Sequence, residues 1–380
     1  MTAQPDRSDN STTTHRPRWT WQWAVLLVLM VAVLEIVSRV EELVVNAVPI
    51  TSRITAPRDL VWLHPQGARG RPGGRYQQLS LNGLGFRGPE MSPAKPPGTV
   101  RIVVVGASET FGLYESQGRE YPRQLEESLR ARSAAACPTR AIEVGNAALP
   151  GMATPSMVHL LDQVVRKAGP DVIVLYPSPG FYLNPNPPRP SAGAAGADSA
   201  LPLANALKLR VAVRARRQAR SLVPEPIKVM VRRMIVNRRA RAWGEKRFTA
   251  VPEDRIAQFE DDLRRAVGIA KSTGARVMMM GHTNATMEPG FSDSALVGAW
   301  VYQFPRASAE ALVGFHDRSV DLERQIARDS GLVYVDLPAA FTGKWEGTFA
   351  DFVHFTDLGS AVVAGTLADA ISPWIDCDPR

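Results

Sequence analysis

Read from the N-terminus, the apolar and polar positions divide the chain into a leader, one long apolar block, and an alternation of short apolar runs with helically periodic segments. Met1 to Pro17 is rich in Ser, Thr, Asp, Arg and Pro without apolar periodicity, which predicts a disordered leader over residues 1–18. Trp19 to Val37 is almost wholly apolar. A helix of that length rises about 28 Å, close to the hydrocarbon thickness of a bilayer. Farther on, strands are predicted at Arg101 to Val105, Ala141 to Val144, Asp171 to Tyr176, Arg276 to Met280 and Leu332 to Val335. Helical patterns run through Tyr121 to Arg132, Pro155 to Lys167, Asp254 to Ser272, Ala307 to Asp329 and Asp357 to Ile371. Strand and helix alternate, so the fold class is α/β: a five-stranded parallel sheet with helices on both faces.

The apolar block, taken as residues 19–40, reads as a transmembrane anchor. Arg16 and Arg18 precede it, and Trp19, Trp21 and Trp23 supply an aromatic belt. The positive-inside rule then puts the N-terminus in the cytoplasm and the rest outside the cytoplasmic membrane, although Arg39 flanks the far side. A signal peptide would show a shorter apolar core and a small-residue cleavage site, and a core helix would be amphipathic. Residues 41–98, rich in Pro and Gly with short strand candidates such as Tyr76 to Leu81, read as a stalk and collar. Residues 99–380 form the main domain.

Composition changes this picture in one place. The net charge is +8 over 380 residues, with 45% hydrophobic content, enough for a full core. The excess is local to an insertion at about 181–252. Its first part, from Asn184 to Ala200, is loop-forming, whereas from Lys208 to Arg247 fourteen basic side chains face only Glu225 and Glu245. Leu207, Val211, Val213, Ile227, Met230, Val231, Met234 and Ile235 interrupt the charge at near-helical spacing, which predicts amphipathic basic helices. Such helices suit a solvated lid, a contact with anionic lipid, or nucleic acid. Sparse aromatics and an extracytoplasmic location count against nucleic acid, so none is expected. Two cysteines exclude a thiolate zinc cluster, no spacing suits metal ligands, and neither metal nor cofactor is expected.

Candidate chemistry lies at two ends of the main domain. The apolar run Ile102 to Val105 stops at Gly106-Ala107-Ser108-Glu109-Thr110-Phe111-Gly112, which displays a serine at a strand tip. Far along the chain, Asp351-Phe352-Val353-His354 places an acid and a histidine on one side of a turn. Together with Asn82-Gly83-Leu84-Gly85-Phe86-Arg87-Gly88, these stretches resemble the SGNH/GDSL hydrolase family from about Asn82 to Ile371. The resemblance implies a flavodoxin-like three-layer α/β/α fold and a catalytic triad of Ser108 as nucleophile, His354 as base and Asp351 as its orienter. Serine needs a base to take its proton as it attacks, and that base needs a carboxylate to fix its tautomer.

The developing oxyanion needs preorganised donors. The backbone N–H groups of Ser108 and Gly151 are the candidates, Gly151 standing in a block that resembles the family's glycine block. Two departures stand out. Where the family carries Gly-x-Asn-Asp after the third strand, this chain reads Pro177-Ser178-Pro179-Gly180, and Pro179 offers no N–H donor. Ser178, Asn184, His282 and Asn284 are candidates to refill the hole or contact substrate. Ala107 also replaces the family's Asp before the serine.

In the flavodoxin-like strand order 2-1-3-4-5 the first and last core helices lie side by side. Cys137 and Cys377 follow them, so a Cys137–Cys377 disulfide is expected in an oxidising compartment. The expected function is a membrane-anchored extracytoplasmic serine esterase acting on O-acylated envelope glycan or lipid. An O-acyltransferase of the same architecture, or a non-catalytic envelope scaffold, are the alternatives.

Overall fold

The computed structural model describes residues 20–64, 67–136, 139–184, 209–291 and 294–375. The leader, Cys137, Cys377 and residues 185–208 of the insertion lie outside these. Helix α1 (Thr20–Asn46) carries exposed apolar side chains, among them Trp21, Trp23, Val28 and Ile36, so it is not a core helix. Its stretch Trp21–Asn46, of mean hydropathy 2.3, is long and apolar enough to cross a membrane or to serve as a signal segment. The helix outlasts the expected 19–40 and stops where Ala47 turns left-handed (φ 52°). There the N–H groups of Ala47 and Val48 close on the carbonyls of Leu43 and Glu42.

The collar follows. Strands β1 (Val61–His64) and β2 (Gly67–Gly70) pair as an antiparallel hairpin, and β3 (Arg75–Tyr76) pairs with β4 (Leu79–Ser80). Leu60, Tyr76, Leu79 and Leu81 bury themselves against Phe111 and Ala148 of the main domain. The Arg87 N–H donates to the Asn146 carbonyl at 2.8 Å, adding a backbone bond at the sheet edge. This segment is therefore built onto the domain and is no free stalk. Its strands are two to four residues long, too short to show a period.

The main domain runs β5 (Thr99–Gly106), α2 (Ser108–Phe111), α3 (Tyr121–Ala136), β6 (Ala141–Asn146), α4 (Thr154–Leu160) and β7 (Val172–Tyr176). After the insertion helices α5 (Arg210–Ser221) and α6 (Glu225–Trp243) come α7 (Glu253–Ser272), β8 (Arg276–Met280), α8 (Ser294–Gln303), α9 (Ala309–Asp329), β9 (Val333–Val335), α10 (Leu337–Phe341) and α11 (Asp357–Ile371). The five strands are all parallel, in the order β6-β5-β7-β8-β9, which is the flavodoxin-like order.

Both sheet faces are apolar because each is covered by helices. Alternate residues Val103, Val105, Ile173, Leu175 and Met279 pack under α4, α7 and α9. Their neighbours Ile102, Val104, Val172, Val174 and Met278 pack under α3 and α11. The predicted strands and core helices match these elements to within a few residues. Helix α8 was not foreseen, since its sequence SALVGAWVYQ is apolar nearly all round and shows no face.

Candidate active site

Parallel strands bring their carboxyl ends to one edge, and five loops meet there. The turn after β5 is tight: a Cβ on Gly106 would lie 2.0 Å from the Thr110 hydroxyl, so only glycine lets α2 fold straight back. That turn is held from both sides, by the Asn146 amide donating to the Thr110 carbonyl at 2.9 Å and by the Thr110 and Tyr121 hydroxyls 2.8 Å apart. Ser108 is thereby presented at the start of α2.

Opposite it, the loop before α11 makes its own scaffold. Asp351 Oδ1 accepts the backbone N–H groups of Val353 and His354, both at 2.9 Å, and Oδ2 lies 2.8 Å from His354 Nδ1. Buried His354 Nε2 has no hydrogen-bond partner among the described residues. The Tyr114 ring leans over the imidazole at 4.9 Å between centroids. Burial opposes a proton on His354, yet the Asp351 hydrogen bond and the nearby Glu109 and Glu115 carboxylates raise it above the ordinary imidazole value. Burial likewise opposes charge on Asp351, and the hydrogen bond and charge of His354 hold it below the ordinary carboxyl value.

Ser108, Asp351 and His354 line one cavity of about 290 Å³ together with Gly151, Ser178, His282 and Asn284. Asn184 does not line it; it ends the short helical turn Pro179–Leu183. The Ser108 hydroxyl does not bond His354. It points to Glu109 Oε2 at 3.2 Å.

Glu109 is the residue that sequence reasoning missed. Fully buried, its Oε1 accepts the Ser178 hydroxyl at 2.6 Å and lies 3.3 Å from His282 Nε2. Burial alone would raise its carboxyl, but His282, His354 and Ser178 hold it down at about 2. His282 stacks on Tyr176 at 5.3 Å between centroids, and its Nδ1 lies 2.9 Å from His316 Nε2. Burial keeps His316 neutral, at about 4. The His282 backbone N–H donates to Glu323 at 2.8 Å, which ties the end of β8 to α9. The available signal was a charged residue set inside an apolar strand-to-helix turn, since buried Glu is nearly always paired. His316, inside the helical segment that becomes α9, carries no such signal in the sequence.

The remaining candidates are committed locally. The Ser178 hydroxyl serves Glu109, and Asn284 Oδ1 caps the turn Ala285–Met287 by accepting the Thr286 N–H at 2.9 Å. Gly151 sits at φ +77° with open space around it, so its backbone, not crowding, calls for glycine. Among the described residues no group of three or more His, Cys, Asp or Glu has an arrangement that could hold a metal ion.

The fold is thus that of a three-layer α/β protein whose site lies at the carboxyl edge of its sheet. Solved structures similar to it include an acetyl xylan esterase (13% identity, 72% of this chain and 100% of the other, TM-score 0.42). Others are a lipase/acylhydrolase from Enterococcus faecalis (15%, 74% and 100%, TM-score 0.42) and an acetylxylan esterase from Geobacillus stearothermophilus (13%, 72% and 94%, TM-score 0.41). No protein-family model matches the chain, and no curated protein matches it.

Proposed function

We propose that this chain is a membrane-anchored serine acyl hydrolase whose domain works outside the cytoplasmic membrane on O-acylated envelope glycan or lipid. One observation carries the reading: a histidine oriented by a carboxylate leaves its second nitrogen buried and unbonded in the cavity that a strand-tip serine lines. In the reaction, His354 Nε2 takes the Ser108 proton as Oγ attacks the ester carbonyl, and Asp351 steadies the imidazolium. The backbone N–H groups of Ser108 and Gly151 face the oxyanion. His354 then returns the proton to the departing alkoxide, and water discharges the acyl-enzyme by the same route in reverse. Apo sites often show such bonds unmade, and here Ser108 must turn from Glu109 to reach its base. The cavity's apolar end, walled by Phe181, Trp300, Phe304 and Phe315, suits the acyl group.

That aromatic wall also favours a second reading, an O-acyltransferase in which a sugar hydroxyl replaces water. With Pro179 at the position of the family's Asn, two backbone donors serve the oxyanion, a modest hole that fits slow deacylation. Helix α1 serves as the anchor in both, with the N-terminus cytoplasmic.

A serine-directed fluorophosphonate tests the chemistry. Labelling of the wild type and none of Ser108→Ala or His354→Ala is the expected result. A folded protein that takes no label would leave a binding role in its place. Comparing aryl acetate hydrolysis with transfer to an oligosaccharide separates hydrolase from transferase.

A further inference from the structure

The basic helices α5 and α6 contribute nothing to the cavity, yet α5 is fixed in relation to α1. Glu35 of α1 accepts Arg39 Nε at 2.6 Å and the backbone N–H of Val211 at 3.1 Å. Arg210, almost wholly buried, pairs with Glu42 at 3.3 Å, and Arg214 pairs with Glu41. The first turn of α5 therefore lies against the last turns of α1.

Helix rise converts that contact into a depth. From Trp21 to Glu35 is about 21 Å, against a hydrocarbon layer of about 30 Å. With Trp21 and Trp23 at one interface, Glu35 lies below the opposite headgroups and Glu42 close to their level. A backbone amide that bonds Glu35 and a guanidinium that pairs with Glu42 put the start of α5 at the boundary of hydrocarbon and headgroups, from about 9 Å below the headgroups up to their level.

Helix α6 has the surface that such a position calls for. Its 19 residues bury no side chain. Ile227, Met230 and Met234, at spacings of three and four, are 46%, 55% and 58% exposed, and Arg238 and Arg241 extend the same stripe. The turn between the helices holds out Leu222, 82% exposed. The other side of α6 faces the domain, with Val236 against the core and Arg239 over the Tyr302 ring. Arg216, Arg220, Arg232, Arg233, Arg238 and Arg241 have no acidic partner among the described residues.

We propose that α5 and α6 form a membrane-apposed platform that binds the anionic phospholipids of the bilayer crossed by α1. The inference rests on the anchor reading above. Unpaired arginines gain attraction at an anionic surface, and interspersed Leu, Ile and Met side chains can enter the headgroup boundary. A soluble polyanion would meet the charges and leave the apolar stripe in water.

The test uses the full-length protein in nanodiscs of phosphatidylcholine with a photoactivatable phosphatidylglycerol, with adducts mapped by mass spectrometry. Adducts within residues 216–241 as well as on α1 are expected. They should fall by at least about tenfold in a variant carrying Arg233→Glu, Arg238→Glu and Arg241→Glu whose thermal melt is unchanged. Adducts confined to α1 would overturn the platform and leave the anchor standing. Adducts nowhere would overturn both, and adducts on 216–241 that added heparin abolishes would reassign the surface to a soluble polyanion. The wild-type map decides the question even if the threefold variant fails to fold.

Discussion

At the residue scale, the site is a competition for protons among buried groups. His354 accepts a proton from Ser108 only while it is itself unprotonated, so under the proposed chemistry activity rises with pH through the His354 value. Asp351 and Glu109 both hold that value up, the former by a hydrogen bond and charge, the latter by charge alone. Asp351→Asn should lower kcat/KM by about a thousandfold to ten-thousandfold and move the acid limb to lower pH. Glu109→Gln should move the limb the same way by less, because it removes one influence and leaves the tautomer fixed. A pH profile of kcat/KM for both variants checks the order, and a limb that stays put in both would remove His354 as the base.

At the element scale, close backbone approaches explain glycines that a pattern of apolar positions cannot. Gly85 sits at φ +79°, and a Cβ there would lie 2.4 Å from the carbonyl oxygen of Gly70 in β2. Gly85→Ala combines left-handed strain with overpacking and should cost about 2–5 kcal/mol, seen as a lowered Tm. Gly118→Ala, at φ +74° with nothing within 4 Å, supplies the backbone part alone and should cost less. Helices α3 and α11 lie side by side, joined where Arg132 meets Asp369 at 2.8 Å and where the Gln124 amide donates to the Asp357 carbonyl at 3.1 Å. Their ends are where the proposed Cys137–Cys377 disulfide would form, although both cysteines lie outside the described residues. Intact mass should rise by two hydrogens on reduction, and free thiols in exported protein would count against the bridge and the topology together.

At the scale of the whole molecule, α1 and the domain are joined through α5 as well as through the chain, since Arg210 pairs with Glu42 and Arg217 donates to the Tyr76 hydroxyl at 3.2 Å. Glu42→Gln leaves Arg210 buried with its opposite charge removed, a loss on the order of 3 kcal/mol. Hydrogen exchange of the α5 amides should then speed by roughly a hundredfold, while the amides of β5 and β7 stay as slow as before. Equal acceleration everywhere would show that α5 unfolds only with the rest.

Periodicity and composition alone located the five strands, five of the core helices flanking them and the apolar span, because each of those patterns is set by neighbours within a few residues. The Asp351–His354 pair was legible for the same reason, since both partners share one turn. Other features depended on the sheet. Glu109 meets Ser178 and His282 across separations of 69 and 173 residues, and His316 joins them from a helix 34 residues past His282. Those contacts exist because β5, β7 and β8 end at one edge and α9 packs behind it. The docking of α5 on α1 is likewise a meeting of distant charges. Local sequence encodes which way a side chain points along its own element; which side chains it meets is decided when the elements pack.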